Sequence, residues 1–374
     1  MDNSKTSVRN YQLDFLKLCF ALCVYIYHSR LLSAEGHIIR FISKKWGFMS
    51  VHFFFLVSGM FMISSFMRNR ENQNRNHGHE SGKYVIKKYL SVAFPYYSAF
   101  ITSFSARMIM EIGGKGKPVL NTLGETLIKS IPELLMIQNA GVSPVEINDA
   151  TWYISAMLIT MLFMNYLLRR NPDLYINILT PLAGILLLGF FYRSGEPSYP
   201  HKGIVGFVSA GILRAVCGIS FGSVAYIISE FLKKRVSTKN QRIFVTVSEL
   251  ILSLLFAVVW FWRTMNSQFW YPVIMLMPVI VGIIFSGTSY IGCIFRSRIF
   301  SRCGNWSLII YLNHFAPYRI VQQMKIFSEY DYGGKLGFMT LFTAVSCVIS
   351  FFLIKLFRFS AVRINKWLSY QKPV

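Results

Sequence analysis

The chain has 374 residues, of which 53% are hydrophobic and only 15% are charged. Soluble globular domains carry about 25% charged residues, so this composition excludes an ordinary soluble protein. A formal net charge of +23 would favour a nucleic-acid partner in a soluble chain, but here the basic residues flank apolar runs, where they anchor helices and set orientation. We therefore predict an all-α, polytopic integral membrane protein, a single domain over residues 1–374, that contacts membrane lipid and binds no nucleic acid.

Ten apolar runs are long enough to be transmembrane helices, since a helix needs about 20 mostly apolar residues to cross the hydrocarbon core. In chain order these predicted spans are 12–32, 47–67, 84–110, 150–168, 174–192, 204–230, 243–263, 269–290, 304–324 and 336–358. Polar residues interrupt the ninth, and because polar groups inside a span are costly, we expect function there. Ser58 and Gly59, in the second span, indicate a point of close helix packing.

The connecting segments predict the orientation. Lys and Arg are more numerous in the alternate segments that include the N-terminus, which favours short cytoplasmic tails at 1–11 and 359–374 in the plasma (bacterial inner) membrane. The long segment 111–149 is then outside. Within it, Thr122 and Glu125 have capping-box spacing, and leucines and isoleucines follow at helical intervals. This pattern predicts a short amphipathic helix at the outer interface.

The first span contains three polar side chains, Asp14, Lys17 and His28. The spacing of Lys17 and His28 places them within roughly 20° on one helical face and about 16 Å apart along the axis. Asp14 precedes Lys17 by one turn, close enough for an ion pair. One interpretation makes Asp14 and Lys17 interfacial residues and His28 a helix cap. The alternative makes His28 a proton acceptor, because neutral imidazole accepts a proton near neutral pH.

The ninth span offers a second histidine, His314, beside Asn313 and followed by Arg319. Arg107 and Arg214 also lie within predicted spans, where acidic residues are few. This excess of positive charge indicates a cavity that accepts an anion, such as a large phosphorylated ligand. The cysteines form no metal-binding motif, and we expect no metal.

Five segments, in order, resemble the membrane acyltransferase family 3, multi-span enzymes that O-acetylate cell-surface glycans. LDFLKLCFALCVYIYH resembles the family's opening helix, with Lys17 in place of the commoner arginine ahead of the histidine. SVHFFFLVSGMFM, KKYLSVAFPYY, TWYISAMLI and WSLIIYLNHFAP resemble its later motifs. Two features depart from the pattern: His52 stands where Asp is frequent, and KKYLSVAFP lacks a second arginine.

The resemblance implies transfer of an acyl group, usually acetyl from acetyl-coenzyme A, to a hydroxyl of a glycan or lipid-linked sugar. His28 would take the hydroxyl proton or briefly carry the acetyl group, and Lys17, held by Asp14, would orient the donor. His314 would polarise the thioester carbonyl or help to place the sugar. The residues expected to contact donor or substrate are Arg68, Arg70, Lys87, Lys88, Arg107, Trp152, Arg214, Arg302, Asn313 and Arg319.

Several alternatives stay open on the sequence alone. Either histidine can be the base, and neither the acyl chain nor the acceptor glycan is specified. A secondary transporter or a lipid-glycan flippase would also have many spans and charges near the midplane, although such proteins commonly contain two related halves and this sequence shows no internal repeat. A catalytically inactive scaffold for glycan synthesis is a third alternative.

Overall fold

The computed structural model describes residues 9–33, 38–70, 76–142, 147–194, 203–261, 270–297 and 299–370. These residues are almost entirely helical, which confirms the all-α class. The sheet they contain is one antiparallel hairpin of two-residue strands, β1 (Ile204–Val205) and β2 (Val208–Ser209). Gly206 opens its two-residue loop with a φ of 62°, the left-handed conformation that such loops favour.

The helices are numbered in chain order. They are α1 (Tyr11–Ser29), α2 (Ile38–Arg68), α3 (His77–Met108), α4 (Val119–Lys129), α5 (Ile131–Leu134), α6 (Trp152–Arg170), α7 (Pro172–Leu174), α8 (Thr180–Arg193), α9 (Ala210–Arg235), α10 (Lys239–Phe261), α11 (Trp270–Ser286), α12 (Phe300–Asn313), α13 (Phe315–Gln323) and α14 (Tyr332–Tyr370). A π-helical segment, Ile109–Gly114, extends α3, and another, Tyr175–Leu179, joins α7 to α8.

Seven helical stretches of the described chain are long and apolar enough to cross a membrane. They are Tyr11–Leu32, Trp46–Arg68, Asp149–Arg170, Pro172–Arg193, Ala210–Arg235, Lys239–Phe261 and Tyr332–Ser360. Each overlaps one predicted span, so the chain is an integral membrane protein by length and composition. The count of ten stays a prediction.

The other three predicted spans differ from these in length or polarity. Helix α3 has 32 residues, but its first turns are polar, and α11 has only 17 residues. The ninth predicted span forms two shorter helices, α12 of 14 residues and α13 of 9, which meet at His314. Pro317 explains the break, because it has no N–H to donate to the carbonyl group of Asn313 and its ring crowds that carbonyl.

Backbone contact between helices α2 and α9 organises the bundle core. A Cβ atom at Gly59 would overlap the carbonyl oxygen of Ile219, and one at Gly222 would overlap the backbone nitrogen of Met60. The close-packing interpretation of Ser58-Gly59 is therefore confirmed. Helix α1 packs against α12 with similar closeness, since a Cβ at Gly304 would lie 2.6 Å from Oδ1 of Asp14.

The helix predicted within 111–149 is present as α4, but the capping-box prediction was wrong. Helix α4 begins at Val119, directly after Pro118, so Thr122 lies inside the helix. A proline of fixed φ before the first turn starts the helix earlier than a threonine cap would. Glu125 instead forms an ion pair with Lys129, Nζ to Oε2 3.1 Å. The apolar side of α4 is exposed, as in an interfacial helix, and its location outside stays a prediction.

Candidate active site

The predicted site residues lie at two ends of the bundle, which helix α1 connects. Asp14 lies in the first turn of α1 and His28 in its last turn. Helix α2 runs antiparallel to α1, because Gly47 contacts Tyr27 whereas Phe61 contacts Lys17. We refer to the two ends as the Asp14 end and the His28 end.

The predicted site residues divide between these ends. Lys17 and Lys88 approach each other at the Asp14 end, and their charges act on one another. The exposed Arg68 is the last residue of α2, and the exposed Arg70 follows it two residues later. The exposed Arg302 lies in the first turn of α12. The second group, at the His28 end, consists of Arg107, Trp152, Arg214, Asn313, His314 and Arg319. The exposed Lys87 precedes Lys88 on α3.

The Asp14 end contains the ion pair expected from the sequence. Nζ of Lys17 lies 3.0 Å from Oδ1 of Asp14, and Nε of Arg9 lies 2.5 Å from its Oδ2. The ammonium group of Lys17 also lies 5.0 Å from the ring centroid of Phe61, a cation–π contact. One buried carboxylate thus holds two cations, and with Lys88 nearby this end has an excess of positive charge suited to an anion.

The two histidines come together at the His28 end. Their ring centroids are 5.1 Å apart, although they belong to distant parts of the chain. The ring of His28 is half-buried and has Phe315 and Tyr318 at 5.4 and 5.8 Å. His314 is wholly buried, next to Tyr311. His28 is therefore the more accessible of the two rings, and the buried His314 lies next to it.

The hydrogen bonding of His314 fixes which of its nitrogens can act as a base. Nδ1 lies 2.7 Å from the carbonyl oxygen of Tyr311. Because a carbonyl oxygen only accepts hydrogen bonds, Nδ1 carries the proton and donates it. The lone pair of the neutral ring is then on Nε2, which is buried and has no hydrogen-bond partner among the described residues. An acceptor nitrogen without a partner, beside a second imidazole, is a geometry suited to proton transfer.

Asp149, which the sequence analysis does not single out, lies in a turn next to the histidine pair's neighbour Tyr311. The side-chain amide of Asn148 donates to the carbonyl oxygen of Leu312 at 2.7 Å, and the hydroxyl of Tyr311 donates to that of Ala150 at 2.9 Å. These two bonds dock the turn that contains Asp149 onto the end of α12, and its charge acts on Tyr311. An acidic residue just before the tryptophan of the TWYISAMLI segment was the available signal.

Glu133 fixes the same turn from the other side. It is wholly buried, and its carboxylate accepts hydrogen bonds from the backbone N–H groups of Ile147 at 2.6 Å and Asn148 at 3.0 Å. The hydroxyl of Thr151 donates to it at 3.3 Å. Buried charges persist where several donors satisfy them, so Glu133 is a structural anchor of the Asp149 turn. An acid within the apolar sequence IPELLM was the signal for it.

Asn313 and Arg107, two predicted binding residues, differ in how much of their hydrogen-bonding capacity is used. Oδ1 of Asn313 accepts from the hydroxyls of Thr102, Ser346 and Ser350, and Nδ2 donates to the carbonyl oxygen of Ile309. This amide joins helices α3, α12 and α14. Nε of Arg107 is buried without a hydrogen-bond partner in the described chain. Their roles in binding stay predictions.

Arg214 and Trp152 lie close together at the start of α9 and α6. The guanidinium carbon of Arg214 lies 5.9 Å from the Trp152 ring and 5.1 Å from the Phe48 ring. Its charge also acts on His52, which is buried with Nε2 unpartnered among the described residues. These contacts place the guanidinium over two aromatic rings at the His28 end.

Comparison with known proteins identifies one family. A family model described as an acyltransferase domain, that of acyltransferase family 3, matches residues 10–355. Searches of curated proteins and of solved structures found no significant match. The matched range includes both ends of the bundle and both histidines.

Proposed function

Because the chain belongs to acyltransferase family 3, we propose that it transfers an acetyl or similar acyl group from an acyl-coenzyme A to a hydroxyl group of a cell-surface or lipid-linked glycan. Family membership makes it a membrane acyltransferase; the donor and the acceptor are our proposal. The observation that carries the proposal is the histidine pair, with ring centroids 5.1 Å apart and Nε2 of His314 without a hydrogen-bond partner among the described residues.

The Asp14 end would bind the phosphates of coenzyme A. Lys17 and Lys88 are close enough there for their charges to oppose each other, so an anion between them relieves the repulsion. Guanidinium and ammonium groups bind phosphate by charge-assisted hydrogen bonds, and Arg68, Arg70, Lys87 and Arg302 add to this rim. The thioester must then extend along α1 to His28, about 16 Å away by helix rise. A long, narrow donor such as an acyl-coenzyme A suits that separation.

The reaction proposed at the His28 end is a direct acyl transfer. The acceptor hydroxyl oxygen attacks the thioester carbonyl carbon while its proton passes to His28, the more exposed of the two rings. The new C–O bond forms, the C–S bond breaks, and the coenzyme A thiolate leaves and takes up that proton. His314, through Nε2, would position the His28 ring and share its proton. Asp149 would balance the positive charge that develops on the imidazoles.

This proposal includes an orientation. The Asp14 end would face the cytoplasm, with both termini there and the membrane being the plasma membrane. The His28 end would then face outward, toward a cell-surface acceptor. The transporter or flippase alternative is not favoured, because the family that matches the chain is one of acyltransferases.

A transfer assay tests the proposed function. Purified protein in proteoliposomes is given coenzyme A thioester labelled in the acetyl group, together with capsule, O-antigen or lipid-linked glycans. We expect label in one glycan class and matching release of coenzyme A, both lost in His28→Ala. His79→Ala, which changes an exposed histidine at the start of α3, is the matched control and should keep the activity. Glycan movement across the vesicle membrane without label transfer would overturn the proposal in favour of a flippase.

A further inference from the structure

Two arginines flank His28, each separated from it by a single aromatic ring. The guanidinium carbon of Arg30 lies 4.4 Å from the centroid of Tyr27, whose ring is 5.0 Å from that of His28. The guanidinium carbon of Arg319 lies 5.5 Å from the centroid of Phe315, whose ring is 5.4 Å from that of His28. Arg30 directly follows α1, and Arg319 lies on α13.

The charges of Arg30 and Arg319 both act on Tyr318. Its ring lies 5.8 Å from that of His28, and the charges of both Arg30 and Arg319 act on its hydroxyl. Among the described residues, the acidic group whose charge acts on the same hydroxyl is Asp149. Two positive charges against one negative leave this corner of the site net positive, next to the reactive imidazole.

The contacts of these arginines leave hydrogen-bonding capacity for a ligand. Nε of Arg30 is buried and has no hydrogen-bond partner among the described residues. Nη1 of Arg319 lies 3.5 Å from Oε1 of Gln322, at the limit for a hydrogen bond. A guanidinium group carries five N–H donors in a planar fork that matches the oxygens of carboxylate and phosphate.

We propose that the acceptor carries an anionic group, a carboxylate or a phosphate, next to the hydroxyl that is acylated, and that Arg30 and Arg319 bind it. This inference rests on the proposed function and adds the chemical class of the acceptor. Acyl-coenzyme A is not the anion in question, because its phosphates belong to the Asp14 end, about 16 Å away along α1. The two arginines thus hold the acceptor while His28 takes its proton.

The test compares acceptors that share one hydroxyl but differ in charge. The probes are a neutral oligosaccharide, an oligosaccharide of the same linkage that contains a uronic acid, and a sugar phosphate. We expect kcat/KM for one anionic probe to exceed that for the neutral probe by about 10- to 100-fold, the value of one or two charge-assisted hydrogen bonds. A higher kcat/KM for the uronic acid probe would indicate that the acceptor is an acidic glycan. A higher kcat/KM for the sugar phosphate would indicate that it is a phosphate-linked sugar.

Variants connect the preference to the two side chains. Arg30→Gln and Arg319→Gln should each reduce the ratio of kcat/KM for the anionic probe to kcat/KM for the neutral probe about tenfold. Arg30→Lys and Arg319→Lys keep the charge and should reduce this ratio less. Lys325→Gln, which removes an exposed charge shortly after α13, is the matched control and should leave it unchanged. In the unmodified protein, added salt should narrow the preference, because ions screen the arginines.

Failure of this inference and failure of the proposed function would give different results. Transfer to the neutral probe as fast as to both anionic probes, or a preference that survives the double Arg→Gln variant, would overturn this inference and leave the proposed function intact. Release of coenzyme A with no acyl transfer to any of the probes or to the glycan classes of the transfer assay would instead contradict the proposed function itself.

Discussion

At the scale of single residues, His28 is half-buried and His314 is wholly buried, and the roles proposed for them follow from this difference. A positioned general base contributes about 10² to 10⁴ in rate. We expect His28→Ala to lower kcat by that factor while the protein stays in the membrane, because only the proton acceptor is lost. The measurement is glycan acylation normalised to membrane protein. Near-normal activity of His28→Ala would transfer the role of base to His314.

Glu111 gives a pH prediction from two nearby cations. Lys117, whose Nζ is 2.6 Å from Oε2, and Lys115, at 2.9 Å from Oε1, lower the pKa of Glu111 to about 2. The unfolded pKa of a glutamate is about 4.3. Since folding lowers this pKa, the stabilisation is complete above the unfolded value and is lost as the pH falls from there toward 2.

This pH dependence is checked by measuring the Tm of the detergent-solubilised protein and of its Glu111→Gln variant as a function of pH. We expect the difference between their Tm values to be constant from pH 7 to pH 5 and to shrink below about pH 4.5. A difference that persists unchanged at pH 3 would show that the two ion pairs do not stabilise the fold.

Residue-level prediction succeeded where partners are neighbours along one helix. The Asp14–Lys17 ion pair follows from one helical turn of separation and is confirmed. The pairing of His28 with His314 depends on how α1 packs against α12, which the spacing of either histidine cannot specify. The same limit applies to Asn313, whose hydroxyl partners lie on helices distant in sequence.

At the scale of elements, Glu133 should determine the order of the turn that contains Asp149. Glu133→Ala leaves the N–H groups of Ile147 and Asn148 without an acceptor, and each such loss costs about 1 to 3 kcal/mol. We expect a lower Tm and faster hydrogen exchange at 147–151, measured by mass spectrometry. Glu125→Gln, on the exposed side of α4, should change stability by less than about 0.5 kcal/mol. Unchanged exchange in Glu133→Ala would contradict the anchoring role.

The glycine contact between α2 and α9 gives a second element-scale prediction. Gly59→Ala forces a methyl group against the backbone of Ile219, and overpacking of this kind costs about 1 to 3 kcal/mol or more. We expect a lower Tm and less monodisperse protein in size-exclusion chromatography. Gly189→Ala in α8 is the control, because a Cβ there meets nothing within 4 Å. Equal Tm values for both variants would refute the packing argument.

Elements were predictable where periodicity and length agree, and less so at their boundaries. Seven spans matched runs of about 20 apolar residues. The start of α4 was misplaced, because a proline cap competed with a threonine cap of suitable spacing. The polar residues of the ninth span coincide with a helix break, since Pro317 divides that span into two helices, and the functional role of this position stays a prediction.

At the scale of the whole molecule, the charge bias predicts both termini in the cytoplasm and segment 111–149 outside. Reporter fusions after residue 1, within 111–149 and at residue 374 check this topology, since alkaline phosphatase is active only outside and green fluorescent protein fluoresces only inside. A cytoplasmic 111–149 segment would reverse the orientation and place the His28 end toward the cytoplasm.

The contact between Gly59 and Ile219 has a mechanical consequence for turnover. Where the backbones touch, at Gly59 and Gly222, no side chain stands between α2 and α9 that could change rotamer and let the two helices shift, so this contact resists movement. Movement that admits a donor is then expected at the helix break at His314, because a broken helix bends at lower cost than a continuous one. Motion at that hinge would move His314 relative to His28, so that opening of the site and loss of the histidine pairing would be the same event.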